Sequence, residues 1–280
     1  MDSFFAIIVS MTKKIIAIDL DGTLLRSDQT ISDYTVETLQ KIQEKGHKII
    51  ISTGRPYRTA LPYYHQLGLH TPMINFNGSL THIPESKWAY EHSVTIDRQY
   101  LLELLGQAKQ IEADFIASEY RKKFYITTDF PETIEPQLFG VPEITEKMVL
   151  KTDKITKNPN AILFQTRADD KYALAEELRQ HFSQEMEVDS WGGPLNILEC
   201  SPKGINKAYA LKYLLEILNI DKDRLIAFGD EHNDTEMLAL AKTGYAMKNA
   251  NPVLLDFADD QISWTNNEDG VARKLEELFL

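Results

Sequence analysis

The stretch IAIDLDGTLL (residues 16–25) decides how the rest of the chain is read. Together with Ile15 it opens as an apolar run, IIAI (15–18), with no polar alternation, which is the pattern of a strand buried on both faces of a parallel sheet. The run ends in Asp19, Leu20, Asp21, Gly22 and Thr23. In open α/β sheets ligands bind at the carboxyl ends of strands. Carboxylates at Asp19 and Asp21, followed by a glycine that permits a sharp turn, repel each other unless a cation or a metal-bearing phosphate ligand lies between them. An isolated DxDG also reads as an ordinary Asp-Gly turn, so the rest of the chain must choose.

Downstream the same texture repeats. A helix is expected over residues 33–45, with Val36, Leu39 and Ile42 on one face, Ser32 as its cap and Gly46 just past its end. HKIIIS (47–52) reads as a second strand. A helical piece follows Pro56, interrupted by Pro62, and the short run MINF (73–76) ends at Asn77 and Gly78. Strand, helix, strand, helix, strand implies a parallel sheet. Between about Pro84 and Gly193 the chain changes to short β-like pieces, WAY (88–90), FIAS (115–118), KFYITT (123–128) and AILFQT (161–166), mixed with helical stretches over 100–111 and 171–182. From Leu195 the first alternation resumes with NILEC (196–200), a long helix from about Ile205 to Leu218, LIAFGD (225–230), a helix through MLALA (237–241), and YAM (245–247). The expected fold is α/β: a Rossmann-like parallel-sheet core of residues 1–83 and 194–280, interrupted by an α+β cap domain of residues 84–193.

The chain of 280 residues is 43% hydrophobic and 26% charged, enough to build a core in each of two domains. Thirty Lys and Arg against 42 Asp and Glu leave a net charge of −12, which argues against nucleic acid or an anionic membrane surface as partner. The sole cysteine, Cys200, cannot form an internal disulfide, and a reducing cytoplasm fits. The apolar stretch FFAIIV (4–9) is far short of the about 20 residues of a membrane span and lacks the flanks of a signal peptide. Residues 1–10, ahead of Met11, read equally as an upstream translation start or a tail, or as part of the fold. A cytoplasmic protein is expected.

Three further segments carry chemistry. In LIAFGDEHNDTEML (225–238) another apolar run ends in Gly229 and Asp230, with Asn233 and Asp234 ahead of a helix. Alone, Asn233 or Asp234 would be an ordinary helix N-cap. Acid-bearing strand ends from the two halves of one sheet can, however, meet at one crevice. Asp19, Asp21, Asp230 and Asp234 would then supply hard oxygen ligands suited to Mg²⁺, which keeps several waters and bridges to phosphate. IIISTGRP (49–56) places Ser52, Thr53, Gly54 and Arg55 before a helix opened by Pro56, either a phosphate cradle or a plain cap. SPKGINKAYAL (201–211) offers Lys203 and Lys207 at the start of the long helix.

Taken together, these segments resemble the haloacid dehalogenase superfamily. DLDGT (19–23) matches its first motif, STG (52–54) its second, Lys207 its third and GDEHND (229–234) its fourth, in order and over essentially the whole chain after Met11. The insertion between the second and third motifs, NFNG (75–78) and NEDGVA (267–272) resemble the Cof-type subgroup, whose α+β cap follows the third core strand. Ala208, where a glycine often follows the lysine, and the Glu231-His232 pair are small departures.

The resemblance implies an Mg²⁺-dependent phosphatase of small phosphorylated metabolites. Asp19 would be the nucleophile that forms an aspartyl-phosphate, and Asp21 the acid/base. Mg²⁺ would be held by Asp19, the backbone carbonyl of Asp21 and Asp230, with Asp234 placed directly or through water. The metal and Lys207 would offset the repulsion between carboxylate and phosphate. Thr53, the Gly54 amide and Asn233 would bind phosphoryl oxygens, Asn77 and Arg55 would face the substrate side, and His232 would be a rim residue. A phosphotransferase such as a hexose-phosphate mutase, and a non-catalytic binding protein on the same fold, are the alternatives. The cap would act as a lid hinged near Pro84 and Gly193, with Trp191, Tyr125, Arg121 and the turn at 189–193 as candidates for lining the cleft. Sugar phosphates, nucleotides, flavin mononucleotide and pyridoxal phosphate all lie within the range of such an enzyme.

Overall fold

The computed structural model describes residues 13–127, 134–152, 155–191 and 195–280. Along the chain lie β1 (Ile15–Ile18), α1 (Asp33–Glu44), β2 (Lys48–Ile51), α2 (Tyr57–Gln66), β3 (Met73–Asn75), β4 (Leu80–His82) and β5 (His92–Ser93). Then follow α3 (Arg98–Gly106), β6 (Ala113–Tyr120), β7 (Lys123–Ile126), β8 (Ala161–Thr166), α4 (Lys171–His181), β9 (Met186–Ser190) and β10 (Ile197–Pro202). The last elements are α5 (Lys207–Ile217), β11 (Leu225–Gly229), α6 (Thr235–Leu240), β12 (Thr243–Ala246), β13 (Asp260–Gln261) and α7 (Gly270–Phe279).

These elements fall into two units. The first comprises the residues up to Gly54, Ala60–Glu91 and Asn206–Leu280, and the second Arg55–Thr59 and His92–Ile205. In the first unit a parallel sheet forms in the order β13-β12-β11-β1-β2. Ile15 and Ala17 share a buried cluster with Ala210, Leu211 and Leu214 of α5 and with Met237 and Leu238 of α6. Ile16 and Ile18, which alternate with them, are also fully buried, so β1 is covered on both faces as its unbroken apolar run requires. A bridge from Ser52 to Ile74 sets β3 beside β2, and β4 pairs antiparallel with β3. The Ser32 hydroxyl caps α1 by accepting from the Thr35 N–H, and Gly46 beyond its end has φ +86°. Pro62 does not interrupt α2 as expected. The helix runs through it, forfeiting only the hydrogen bond that would have reached the Arg58 carbonyl.

The second unit is an antiparallel sheet in the order β7-β6-β8-β10-β9. Its strands obey a period of two. Ile116, Ile162, Phe164, Leu198 and Cys200 pack with α3 and α4, whereas Phe115, Ala117, Leu163 and Ile197 turn to the other face with Phe124 and Phe139. Two expectations are corrected here. NILEC does not reopen the core: β10 lies between β8 and β9, and the chain returns to the first unit at Asn206. All six residues of β10 are buried, Glu199 and Ser201 included, and burial on both faces of an antiparallel sheet gives a short strand no signal that separates it from a parallel core strand. WAY is not a strand, for Trp88 to Tyr90 lie in a turn region. The expectations for residues 1–10 and for a hinge at Gly193 lie outside the described residues.

Candidate active site

At the carboxyl end of β1, Asp19 is held by its backbone N–H, which donates to the Phe228 carbonyl of neighbouring β11 (3.1 Å). The chain then turns at Gly22 with φ +72°. A Cβ there would stand 2.1 Å from Asp230 Oδ2, so glycine is required by conformation and by space. The Thr23 hydroxyl donates to Asp230 Oδ1 (2.9 Å), which fastens the first acidic turn to the second.

Lys207 is the first residue of α5, whose cap is the Asn206 side chain. A cation at a helix N-terminus works against the helix dipole, and Lys207 is fully buried besides. Two carboxylates offset both costs: its ammonium donates to Asp19 Oδ1 and to Asp234 Oδ1, each at 2.6 Å. Asp234 Oδ2 accepts the backbone N–H groups of Asp230 (3.0 Å) and Glu231 (3.2 Å). Both Asp234 oxygens are thus engaged, and the residue is more than the helix cap its position suggested.

Carboxylate oxygens of Asp19, Asp230 and Asp234 lie within 4.8 Å of one another. Burial pushes the Asp19 carboxyl well above its ordinary value, and Asp234, Asp230 and Asp21 push it further, against the pull of Lys207. Burial and Asp234 raise Asp230 to about 7, opposed by the Thr23 hydrogen bond and Lys207. Burial disfavours the charge on Lys207, yet Asp19 and Asp234 outweigh it and hold its ammonium above the usual lysine range. This surplus of hard anionic oxygen fits a divalent cation such as Mg²⁺. The Asp21 carboxylate is exposed and outside the three-carboxylate cluster.

Beside these acids, the Thr53 N–H donates to the Ile74 carbonyl (3.0 Å), and the Asn77 N–H to the Thr53 carbonyl (3.1 Å). Asn233 Nδ2 donates to Asn77 Oδ1 (3.1 Å). Thr53, Gly54, Asn77 and Asn233 therefore belong to one unit with Asp19, Asp230 and Lys207, whereas Arg55 belongs to the second unit. His232 is exposed with its Nδ1 3.3 Å from Glu231 Oε1, and Lys203 pairs with Glu187 at 3.0 Å. Among the proposed cleft residues, Trp191 donates from Nε1 to Glu199 Oε2 (2.8 Å), the Arg121 N–H donates to Asn160 Oδ1 (2.8 Å), and Tyr125 is exposed.

Sequence reasoning missed a buried ion pair in the second unit. The Arg58 guanidinium grips Glu119 with two hydrogen bonds (2.9 and 2.7 Å), donates to the Phe139 carbonyl, and lies over the Phe124 ring. Glu119 is wholly buried, and burial keeps its carboxyl above the ordinary value despite Arg58. The partners are 61 residues apart, and no local pattern announces them.

At the carboxyl ends of β1 and β11 of a parallel α/β sheet, three carboxylates thus gather around a buried lysine. The chain belongs to the haloacid dehalogenase-like hydrolase family, whose profile matches residues 16–275. It is similar to two phosphatases of Bacillus subtilis (strain 168), YitU and YcsE, both named for 5-amino-6-(5-phospho-D-ribitylamino)uracil. YitU is 32% identical over 266 residues, covering 95% of this chain and 97% of the relative. YcsE is 32% identical over 268 residues, covering 95% and 96%. Among solved structures, a haloacid dehalogenase-like hydrolase from Bacteroides thetaiotaomicron superposes with a TM-score of 0.81 at 28% identity, covering 96% of this chain and all of the other. The class is that of a phosphatase, a phosphoric monoester hydrolase. No helix among the described residues is long and apolar enough to cross a membrane.

Proposed function

We propose that the protein is an Mg²⁺-dependent phosphatase of small phosphorylated metabolites that works through an aspartyl-phosphate on Asp19. The observation that carries this reading is the Asp19–Lys207–Asp234 arrangement. Its buried ammonium lies 2.6 Å from the carboxylate that must approach an anionic phosphate, which favours the ionised form of that carboxylate against the effect of burial and lowers the repulsion. Mg²⁺ would be held by Asp19, Asp230 and the Asp21 backbone carbonyl, and when bound would supply further charge neutralisation. Asp234 would hold Lys207 and the Asp230 loop, and would reach the metal directly or through water.

In the first half-reaction an Asp19 oxygen attacks phosphorus in line while the ester P–O bond breaks, and Asp21 gives its proton to the departing alkoxide. In the second, Asp21 takes a proton from water as the water oxygen attacks phosphorus, releasing phosphate and regenerating the Asp19 carboxylate. The exposure of Asp21 suits a group that exchanges protons with leaving group and water. Thr53, the Gly54 N–H and Asn233 would hold the non-bridging phosphoryl oxygens.

The compound named for the two B. subtilis relatives is the first substrate to try, followed by sugar phosphates, nucleotides, flavin mononucleotide and pyridoxal phosphate. The test is phosphate release across this panel. Release should need Mg²⁺, stop in EDTA and return on Mg²⁺ addition, with Ca²⁺ a poor substitute because of its looser, higher coordination. Undiminished hydrolysis in EDTA would refute the metal-dependent reading, and isomerised phosphate ester without free phosphate would favour a phosphotransferase.

A further inference from the structure

The NFNG segment (residues 75–78) has three successive positive φ values: +50° at Phe76, +51° at Asn77 and +111° at Gly78. A bulky residue is rarely left-handed, and such a backbone persists only where its surroundings fix it. Here Phe76 is buried, and beside it Asn75 Oδ1 lies 2.9 Å from Nε2 of buried His82.

The segment touches the supports of every group assigned to phosphoryl binding in the first unit. The Asn77 N–H donates to the Thr53 carbonyl at 3.1 Å. The Asn77 amide lies against Gly54 so closely that a Cβ on Gly54 would stand 3.1 Å from Asn77 Oδ1. Asn77 Oδ1 in turn accepts from Asn233 Nδ2 at 3.1 Å. Gly78 packs on the carbonyl of Asn206, the cap of α5, leaving only 2.3 Å for a Cβ. Lys207 is the next residue.

We propose that Asn77 is a positioning residue: it acts through Asn233 and Gly54 and not by touching the substrate. An amide nitrogen carries two N–H groups. By accepting one of those on Asn233, Asn77 fixes the plane of that amide and turns the second N–H toward a phosphoryl oxygen. The same side chain sets the approach of the Gly54 N–H. The left-handed backbone is what brings one short amide against both the β2 end and the Asp230 loop. The inference rests on the phosphoryl-transfer reading of the site, which the following experiment tests separately.

Wild type, Asn77→Gly, Asn233→Ala and the double variant form the cycle. Glycine at 77 accepts the left-handed backbone without steric cost. The readouts are kcat and KM for p-nitrophenyl phosphate with Mg²⁺, and the calorimetric affinity for inorganic phosphate. Each single substitution should lower kcat about 10- to 100-fold and change KM far less, as the loss of an aligned donor does. The double variant should stay within about threefold of Asn233→Ala, because the two side chains act as one unit. Losses that multiply in the double variant, or an unchanged kcat in Asn77→Gly, would overturn the proposal. If Asn77→Gly fails to fold, Asn77→Ser, whose side chain is too short to span the contact, completes the cycle. If the wild type hydrolyses nothing, the functional reading fails, and the phosphate affinities of the same four proteins still decide whether Asn77 and Asn233 are coupled.

Discussion

Replacing Lys207 by Met keeps most of the side-chain volume and removes the one charge that balances the acidic cluster. The Lys207 and Asp234 side chains have no exposed surface, and that of Asp19 has 8%. Removing one partner of a buried ion pair costs about 3 to 5 kcal/mol, and two carboxylates here depend on one ammonium, so the upper part of that range applies. The pH dependence follows from the directions of the shifts. Lys207 is raised in the folded state, so its contribution is complete below the ordinary lysine value and is lost only as pH rises through the still higher folded one. It is therefore constant across neutral pH. Asp19 is also raised, so its charging penalty is absent in acid and full above its folded pKa. Without Lys207 it rises further, so the deficit of Lys207→Met should be largest on the alkaline side and shrink as the pH is lowered and Asp19 takes up a proton. Urea unfolding in EDTA, followed by circular dichroism and tryptophan fluorescence, should show the midpoint falling by about 1 M or more at the higher pH. An unchanged midpoint there, or a deficit that grows toward acid, would refute the reasoning.

Gly22→Ala should cost about 1 to 3 kcal/mol in thermal unfolding and more than tenfold in kcat, since its Cβ meets Asp230 Oδ2 at 2.1 Å on a backbone with φ +72°; wild-type turnover would show that Asp230 need not stand where it does. Arg58→Leu should destabilise by about 3 to 5 kcal/mol at neutral pH by stranding the buried Glu119 carboxylate, less in acid where raised Glu119 protonates. Adding Glu119→Leu should recover most of that loss in the same urea assay.

The strands that carry the site were legible because β1, β11 and residues 49–51 of β2 are apolar runs followed by polar residues, and because Ser32 and Gly46 punctuate α1. The carboxylates could be named from the sequence, but their division of labour could not. That both Asp234 oxygens are engaged depends on Lys207, 27 residues away, and on the fold of the 229–231 backbone. NILEC (196–200) was assigned to the wrong sheet because a short stretch such as Ile197, Leu198 and Cys200 reports burial and not the neighbours that bury it. Glu119 sits in β6 with its partner in a helix 61 residues earlier, a pairing that only tertiary structure creates. The left-handed backbone at Phe76 was likewise invisible, since no local preference of phenylalanine favours it.

The central claim is that Asp19 carries the phosphoryl group, and trapping that intermediate tests it most directly. Asp21→Asn keeps the nucleophile and the backbone carbonyl and removes the acid/base, a step worth about 10² to 10⁴-fold. With an activated ester such as p-nitrophenyl phosphate and Mg²⁺, followed by an acid quench and mass spectrometry, this variant should hold phosphate on Asp19 within the peptide containing IAIDLDGT, while Asp19→Asn should hold none. Phosphate found on another residue, or wild-type hydrolysis by Asp19→Asn, would place the nucleophile elsewhere and contradict the account.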